Sequence, residues 1–119
     1  MIMSREKKLR WLKIADSKAD LRFPENNILE IEIDGKRICI ALTAVGLKAC
    51  SSKCPHAGGE MAQGKLDNKG NITCPVHGYI FNLNNGRDTN FEGYFLKLYP
   101  IKEEEKGVFV GLEEVAFER

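Results

Sequence analysis

The sequence lacks a long apolar run, an excess of charge of either sign, and the pattern of a secretory signal. No apolar segment approaches the roughly 20 residues that cross a bilayer, and no apolar stretch follows the charged residues near Met1. Lysine and arginine number 18 against 17 acidic residues, a net charge of +1. These absences argue against a membrane or nucleic-acid partner and predict a cytoplasmic protein.

Cysteine and histidine are also scarce, with four and two in 119 residues. Because no secretory signal is found, four cysteines favour metal binding or buried thiols over a disulfide framework. The length suits one compact domain with a modest core and is too short for two ordinary ones. We therefore expect a single domain over residues 1–119.

Alternation of apolar and polar residues predicts an all-β fold. Leu29 to Ile33 alternates apolar and acidic residues, and Asp34-Gly35 then supplies a tight turn. Ile38, Ile40 and Leu42 fall on one face of the next run, so the two runs predict a β-hairpin. Further short runs are Leu9 to Ile14, Gly46 to Cys50, Asn71 to Cys74, Tyr79 to Leu83, Phe95 to Ile101 and Gly107 to Leu112. Seven or eight strands at this spacing predict an antiparallel sandwich or small barrel.

Two loops interrupt this strand pattern and contain both histidines. The first, about residues 51–64, has three glycines and no β-branched residue, and it includes Cys54-Pro55-His56. The second, about residues 74–79, reads Cys74-Pro75-Val76-His77-Gly78. Long ordered loops in small domains usually carry function. The two loops are therefore the candidate functional site.

Each loop offers one thiolate and one imidazole, and three interpretations compete. The first is an iron–sulfur cluster with two cysteine and two histidine ligands. The second is a structural zinc ion, although zinc ligand pairs usually have two or more residues between them and Cys54 and His56 have one. The third is no metal at all, which must treat two similarly framed Cys/His pairs as coincidence.

The pattern resembles the ligand motif of the Rieske family: Cys-x-His, then 15 to 17 residues, then Cys-x-x-His. Here residues 57–73, 17 in number, separate the pairs, and His77-Gly78-Tyr79-Ile80-Phe81 with Asn85-Gly86-Arg87 is similar to the sequel of the motif. The resemblance, over about residues 30–112, implies a Rieske-like antiparallel fold with two cluster-binding loops and a [2Fe-2S] cofactor. It implies that Cys54 and Cys74 bind the buried iron, and His56 and His77 the outer one.

The neighbours of these ligands predict a low reduction potential. Rieske proteins of cytochrome bc complexes carry a disulfide between the loops, and the matching positions here are Gly59 and Val76. High-potential members also place a serine and a tyrosine hydroxyl near the cluster, where this chain has Tyr79 and Phe81. Because hydroxyl donors stabilise the reduced cluster, their loss predicts a potential near the lower end of the range of roughly −150 to +300 mV.

Two groups of residues near the motif have simpler interpretations. Cys39 and Cys50 lie in predicted strands, and we expect buried structural thiols there. Phe91, Tyr94 and Phe95 lie near where the family often has a proline-containing loop over the cluster. This chain has no proline between positions 75 and 100, so we expect these aromatics to pack in the core.

The resemblance implies a one-electron carrier that is not itself an enzyme. Rieske oxygenases need a second iron bound by two histidines and a carboxylate, and both histidines here are assigned to the cluster. The expected partners are a flavoprotein reductase and a terminal oxygenase or other reductase. The chain also resembles the small subunit of NAD(P)H nitrite reductases, so a non-catalytic subunit of a multi-component reductase is the alternative.

Overall fold

Antiparallel strands are the main regular structure of the computed structural model, which describes residues 5–56 and 58–117. In chain order they are β1 (Arg5–Ala15), β2 (Ile28–Ile33), β3 (Lys36–Thr43), β4 (Gly46–Ser51), β5 (Lys65–Leu66), β6 (Asn71–Thr73), β7 (Ile80–Asn82), β8 (Leu98–Tyr99), β9 (Ile101–Glu104) and β10 (Gly107–Phe117). Two single-turn 3-10 helices, Lys18–Asp20 and Met61–Gln63, lie between strands. Within the described ranges, no helix is long and apolar enough to cross a membrane. The predicted antiparallel all-β fold is confirmed.

The strands form three sheets. The first has the order β1-β10-β9, the second β2-β3-β4-β8 and the third β5-β6-β7. One apolar core includes residues of β10 in the first sheet and of β3 and β4 in the second. A second core joins the opposite face of the second sheet to the third sheet and to both loops that contain a cysteine and a histidine.

Strand β3 lies between the two cores and is buried on both faces. Ile38 and Ile40 enter the first core, whereas Cys39 and Ala41 enter the second, and all four are fully buried. Because successive side chains of a strand point to opposite faces, a strand between two cores needs a continuous apolar run. The apolar run of β3 therefore positions the second sheet between the two cores.

The predicted hairpin is present, and its turn has the expected geometry. Strands β2 and β3 pair from Ile28↔Ala41 to Ile33↔Lys36. Asp34 and Gly35 lie at φ 54° and φ 76°, the left-handed region that a two-residue hairpin turn requires at both positions. The short polar side chain of aspartate and the absence of one in glycine make that conformation accessible.

The predicted single strand from Phe95 to Ile101 is wrong, because Pro100 divides it. Strand β8 pairs with β4 in the second sheet, whereas β9 pairs with β10 in the first. Proline has no N–H to continue a ladder, but its carbonyl still accepts a hydrogen bond from Gly111 N at 2.8 Å. The chain thus crosses from one sheet to the other at Pro100.

Candidate metal centre

The first loop closes on itself around Cys54. The Cys54 N–H donates to the Gly59 carbonyl at 2.8 Å, and the Gly58 N–H donates back to the Cys54 carbonyl at 2.9 Å. Gly58 lies at φ 68°, where a side chain would add strain. This closed turn buries the Cys54 thiol, which is 3% exposed, and leaves His56 half-buried at its tip.

The second loop is a tight reversal between β6 and β7. The Cys74 N–H donates to the Tyr79 carbonyl at 2.7 Å and so closes the loop. His77 and Gly78 both have positive φ, 62° and 69°. For a histidine this conformation costs about 1–2 kcal/mol, a strain typical of functional sites. The result is a buried cysteine at the base of the loop and an exposed His77 at its tip.

The two thiols lie in the same apolar core. Cys54 and Cys74 are 3% and 0% exposed and belong to the cluster that also contains Phe81 and Met61. Burial raises the pKa of the Cys74 thiol, and contact with the Cys54 thiol raises it further. The Val76 N–H, 3.4 Å from Cys74 Sγ, acts in the opposite direction. A cation between the sulfurs is the group that would stabilise both as thiolates.

The two imidazoles, one from each loop, lie close to each other in an edge-to-face arrangement. The ring centroids of His56 and His77 are 5.8 Å apart, with the planes at 81°. His56 Nδ1 is buried and has no hydrogen-bond partner within the described part of the chain. An unpaired buried nitrogen costs about 1–3 kcal/mol, which a metal ion bound to that nitrogen would offset.

Gly59 is where the two loops come closest. A Cβ atom at this position would lie 2.7 Å from Cys74 Sγ and 2.8 Å from Val76 Cγ2, closer than non-bonded atoms tolerate. Only glycine therefore allows the first loop to pack against the second cysteine. In residues 5–56 and 58–117, no three histidine, cysteine, aspartate or glutamate side chains converge on one ion position. A Rieske centre uses two protein ligands on each of its two irons.

A pair of tyrosines covers His56. The Tyr79 ring stacks on the imidazole, with centroids 3.7 Å apart and planes at 18°, and Tyr94 meets it edge-on at 4.9 Å. The Tyr79 hydroxyl donates its one hydrogen to Glu92 Oε1 at 3.3 Å, so that hydrogen is not donated to a cysteine sulfur. Of the two imidazoles, that of His77 is therefore the more exposed to solvent.

The expectation that Phe91 and Phe95 pack in the core is wrong. Their side chains are 72% and 55% exposed, and the Arg87 guanidinium lies 5.4 and 5.5 Å from the two ring centroids. This one guanidinium contacts both rings, and the cation–π interaction favours their position at the surface. Tyr94 is half-buried against the second core, as expected, and it also contacts His56.

Cys39 and Cys50 are buried, as expected, and lie on strands β3 and β4. They face each other across β3 and β4 and are both 0% exposed. The Cys39 sulfur lies 3.6 Å from the Ser52 hydroxyl oxygen. Hydrogen bonding by the Cys50 thiol lowers the pKa of Cys39, whereas that contact and burial raise the pKa of Cys50 well above its usual range. The pair fills the centre of the second sheet.

Asp88 and Glu92 are site neighbours that the sequence pattern did not single out. Asp88 is 1% exposed, and its carboxylate accepts hydrogen bonds from the backbone of the following turn. The only signal for such a turn is the polar run Asp88-Thr89-Asn90, typical of residues whose side chains bond their own backbone. The position of this turn beside Tyr79 and His56 depends on tertiary packing.

An antiparallel β domain with one cysteine and one histidine in each of two adjoining loops has the architecture of a protein that binds a two-iron cluster. Comparison with known families agrees, because the Rieske [2Fe-2S] domain matches residues 10–94. The chain belongs to the Rieske [2Fe-2S] domain family, and its cofactor is a [2Fe-2S] cluster.

Relatives and structural neighbours place this domain in several kinds of protein. The ferredoxin component of the naphthalene 1,2-dioxygenase system of Pseudomonas aeruginosa is 27% identical over 104 residues, covering 87% of this chain and 96% of that protein. Human apoptosis-inducing factor 3 is 29% identical over 90 residues, 75% of this chain but 15% of that protein. A protein assigned as the small subunit of an NADH-dependent nitrite reductase from Mycobacterium tuberculosis shares the fold, with a TM-score of 0.74, 15% identity and coverage of 88% and 96%.

Proposed function

We propose that the chain is a one-electron carrier whose cluster is held by Cys54, His56, Cys74 and His77. The observation that carries the proposal is the buried, unpartnered Nδ1 of His56, in the loop whose Gly59 packs against Cys74. Two buried sulfurs and two imidazole nitrogens are the donor set of a Rieske centre. Residues 1–119 are assigned to one domain, with ligand loops at about 51–64 and 74–79.

The donor types account for the proposed chemistry. The bound cluster supplies reversible one-electron transfer, and two neutral imidazoles in place of two thiolates make the added electron easier to accept. The buried cysteines anchor the loops in the core, whereas the exposed His77 brings the site within reach of another protein. The chain therefore buries the two proposed cysteine ligands in the core and exposes one proposed histidine ligand to a partner protein.

Electron transfer without catalysis follows from the histidine count. The chain has two histidines, and the proposal uses both, so none is left for a second iron of the 2-His-1-carboxylate type. The proposed partners are a flavoprotein reductase as donor and a terminal oxygenase or reductase as acceptor. The naphthalene 1,2-dioxygenase ferredoxin component supports this assignment, since it matches over nearly its whole length. Four free cysteines support a cytoplasmic location.

A non-catalytic subunit of a nitrite reductase is the second candidate, favoured by the structural neighbour of that kind. The isolated chain tests the carrier proposal directly. After anaerobic reconstitution with iron and sulfide, we expect a coloured protein that accepts one electron per chain from dithionite and returns it to ferricyanide. A colourless chain, or one that fails to return the electron, would contradict the carrier proposal.

The side chains at positions 79 and 81, just after the second loop, predict where the reduction potential lies. In this structure, the Tyr79 hydroxyl bonds Glu92 and Phe81 is fully buried without a hydroxyl, so neither donates to a ligand sulfur. The double substitution Tyr79→Ser with Phe81→Tyr is expected to raise the midpoint potential, because added donors stabilise the more negative reduced state. A redox titration of both proteins measures the shift, and an unchanged or lower potential would refute this explanation.

A further inference from the structure

A closed turn of the chain supplies Tyr94 and contacts Tyr79, the two tyrosines that cover His56. Residues 88–94, the 88–94 cap, lie in the chain between β7 and β8. Asp88 pairs with Phe81 of β7 in an isolated bridge, and the Thr89 N–H donates to the Ile80 carbonyl at 2.9 Å. The cap therefore begins on the strand that follows the second ligand loop.

One buried carboxylate organises the 88–94 cap from inside. Asp88 Oδ1 accepts from the N–H groups of Asn90 and Glu92 at 3.1 and 3.0 Å, and Asp88 Oδ2 accepts from those of Glu92 and Tyr94 at 3.1 and 3.0 Å. The Asp88 N–H donates to the Tyr94 carbonyl at 3.1 Å. A carboxylate 1% exposed is stable in such a place only because these donors replace its water.

The cap delivers two side chains to the site. Glu92 accepts the hydroxyl hydrogen of Tyr79, whose ring stacks on His56. Tyr94 meets the His56 ring at 4.9 Å and the Tyr79 ring at 5.5 Å, both edge-on. The three rings thus form one packed unit, and two of its contacts originate in the turn that Asp88 closes.

We propose that Asp88 is a positioning residue for the centre: its buried carboxylate folds the 88–94 cap, and the cap holds Tyr79 and Tyr94 against His56. The proposal rests on the assignment of His56 as a ligand. Its consequence is control of water at the outer side of the site. Because water stabilises the more negative reduced state, an ordered cap keeps the potential low.

The substitution Asp88→Asn tests this role with little change of size. Asparagine retains one acceptor oxygen but puts an NH₂ group where the other accepted hydrogen bonds, so one side of the turn loses its partner. We expect the midpoint potential of the reconstituted protein to rise. The expected shift is about threefold in the reduced-to-oxidised ratio at a fixed potential, or about 28 mV at 59 mV per decade.

Asp67→Asn is the matched control. Asp67 also closes a turn with its carboxylate, accepting from the N–H groups of Lys69 and Asn71 at 2.8 and 3.0 Å. That turn joins β5 to β6 at the end of β6 opposite Cys74, so its loosening is expected to leave the potential unchanged. Hydrogen exchange of residues 88–94 is expected to increase in Asp88→Asn and not in Asp67→Asn.

A second variant, Tyr94→Leu, keeps every backbone donor to Asp88 and removes the ring that contacts His56. It is also expected to raise the midpoint potential. If Asp88→Asn does not assemble a cluster, the potential of Tyr94→Leu decides whether the cap keeps the potential low. Unchanged potentials in the cap variants, or an equal shift in the Asp67 control, would overturn the inference. A wild-type chain that binds no cluster would instead overturn the proposed function, before any variant is compared.

Discussion

Replacing Cys74 with alanine is expected to abolish both the visible absorption and the EPR signal of the reconstituted protein, whereas replacing Cys50 with alanine leaves both. The two thiols are equally buried, each 0% exposed, and both belong to the second core. They differ in position, because Cys74 lies in one of the two proposed ligand loops and Cys50 pairs with Cys39 on the neighbouring strand. Only the loss of a ligand removes the centre.

The Cys50 variant also separates ligation from folding. Truncating either side chain removes a similar apolar volume, so both variants are expected to lose about 1 kcal/mol of unfolding free energy. Iron and sulfide content, measured beside thermal unfolding of the apo-proteins, distinguishes the two effects. Retention of the cluster by Cys74→Ala, or its loss from Cys50→Ala, would contradict the proposed ligand set.

Replacing His77 with cysteine is expected to lower the midpoint potential by about 100 mV or more. A thiolate adds one negative charge beside the centre, and replacing both histidines spans the difference between Rieske potentials and about −400 mV for all-cysteine clusters. Because His77 is exposed, a cysteine at position 77 does not disturb the packing of the core. The positive φ of 62° is unfavourable for cysteine as it is for histidine. The average g value of the reduced protein should move toward that of an all-cysteine cluster.

The control for the His77 variant is Val45→Cys, which adds a thiol at an exposed turn between β3 and β4. This thiol lies outside both ligand loops, so the potential and the spectrum should match those of the wild type. A His77→Cys protein with an unchanged potential would mean that position 77 does not bind the centre. Redox titration with EPR detection measures both quantities on one sample.

The local parts of the fold could be predicted from the sequence. The hairpin of β2 and β3 follows from alternation and a two-residue turn with the right residues at Asp34 and Gly35, all within 16 positions of each other, Ile28 to Thr43. The two Cys/His loops can be predicted because glycine and proline interrupt the strand pattern where cysteine and histidine occur. These signals depend on neighbours in the chain, which a sequence shows directly.

The parts that could not be predicted depend on distant partners. Strand β1 runs from Arg5 to Ala15 because it pairs with β10, so its length is set about a hundred residues away along the chain. Pro100 divides a run that looks continuous, because its two halves join different sheets. Phe91 is predicted in the core because it is aromatic, but in the structure it is exposed and lies beside Arg87. Tertiary context overrides local pattern in each case.

The covering of His56 shows the same limit at the site itself. Tyr79 is two residues from His77 in sequence, yet its ring stacks on His56 in the other loop. The Cys/His spacing and the resemblance to the Rieske family propose the ligand set, whereas the tyrosines around His56 could not be predicted from either. The environment of the centre, and hence its potential, is therefore a property of the folded chain.

The measurement that tests the central claim most directly is the EPR spectrum of the reconstituted protein after reduction with dithionite. Two imidazole ligands on one iron predict a spectrum whose average g value is lower than that of a [2Fe-2S] cluster with four cysteines. We expect that spectrum, with one unpaired electron per chain. An average g value typical of four-cysteine ligation, or a reduced protein without any signal, would contradict the assignment of His56 and His77 as ligands.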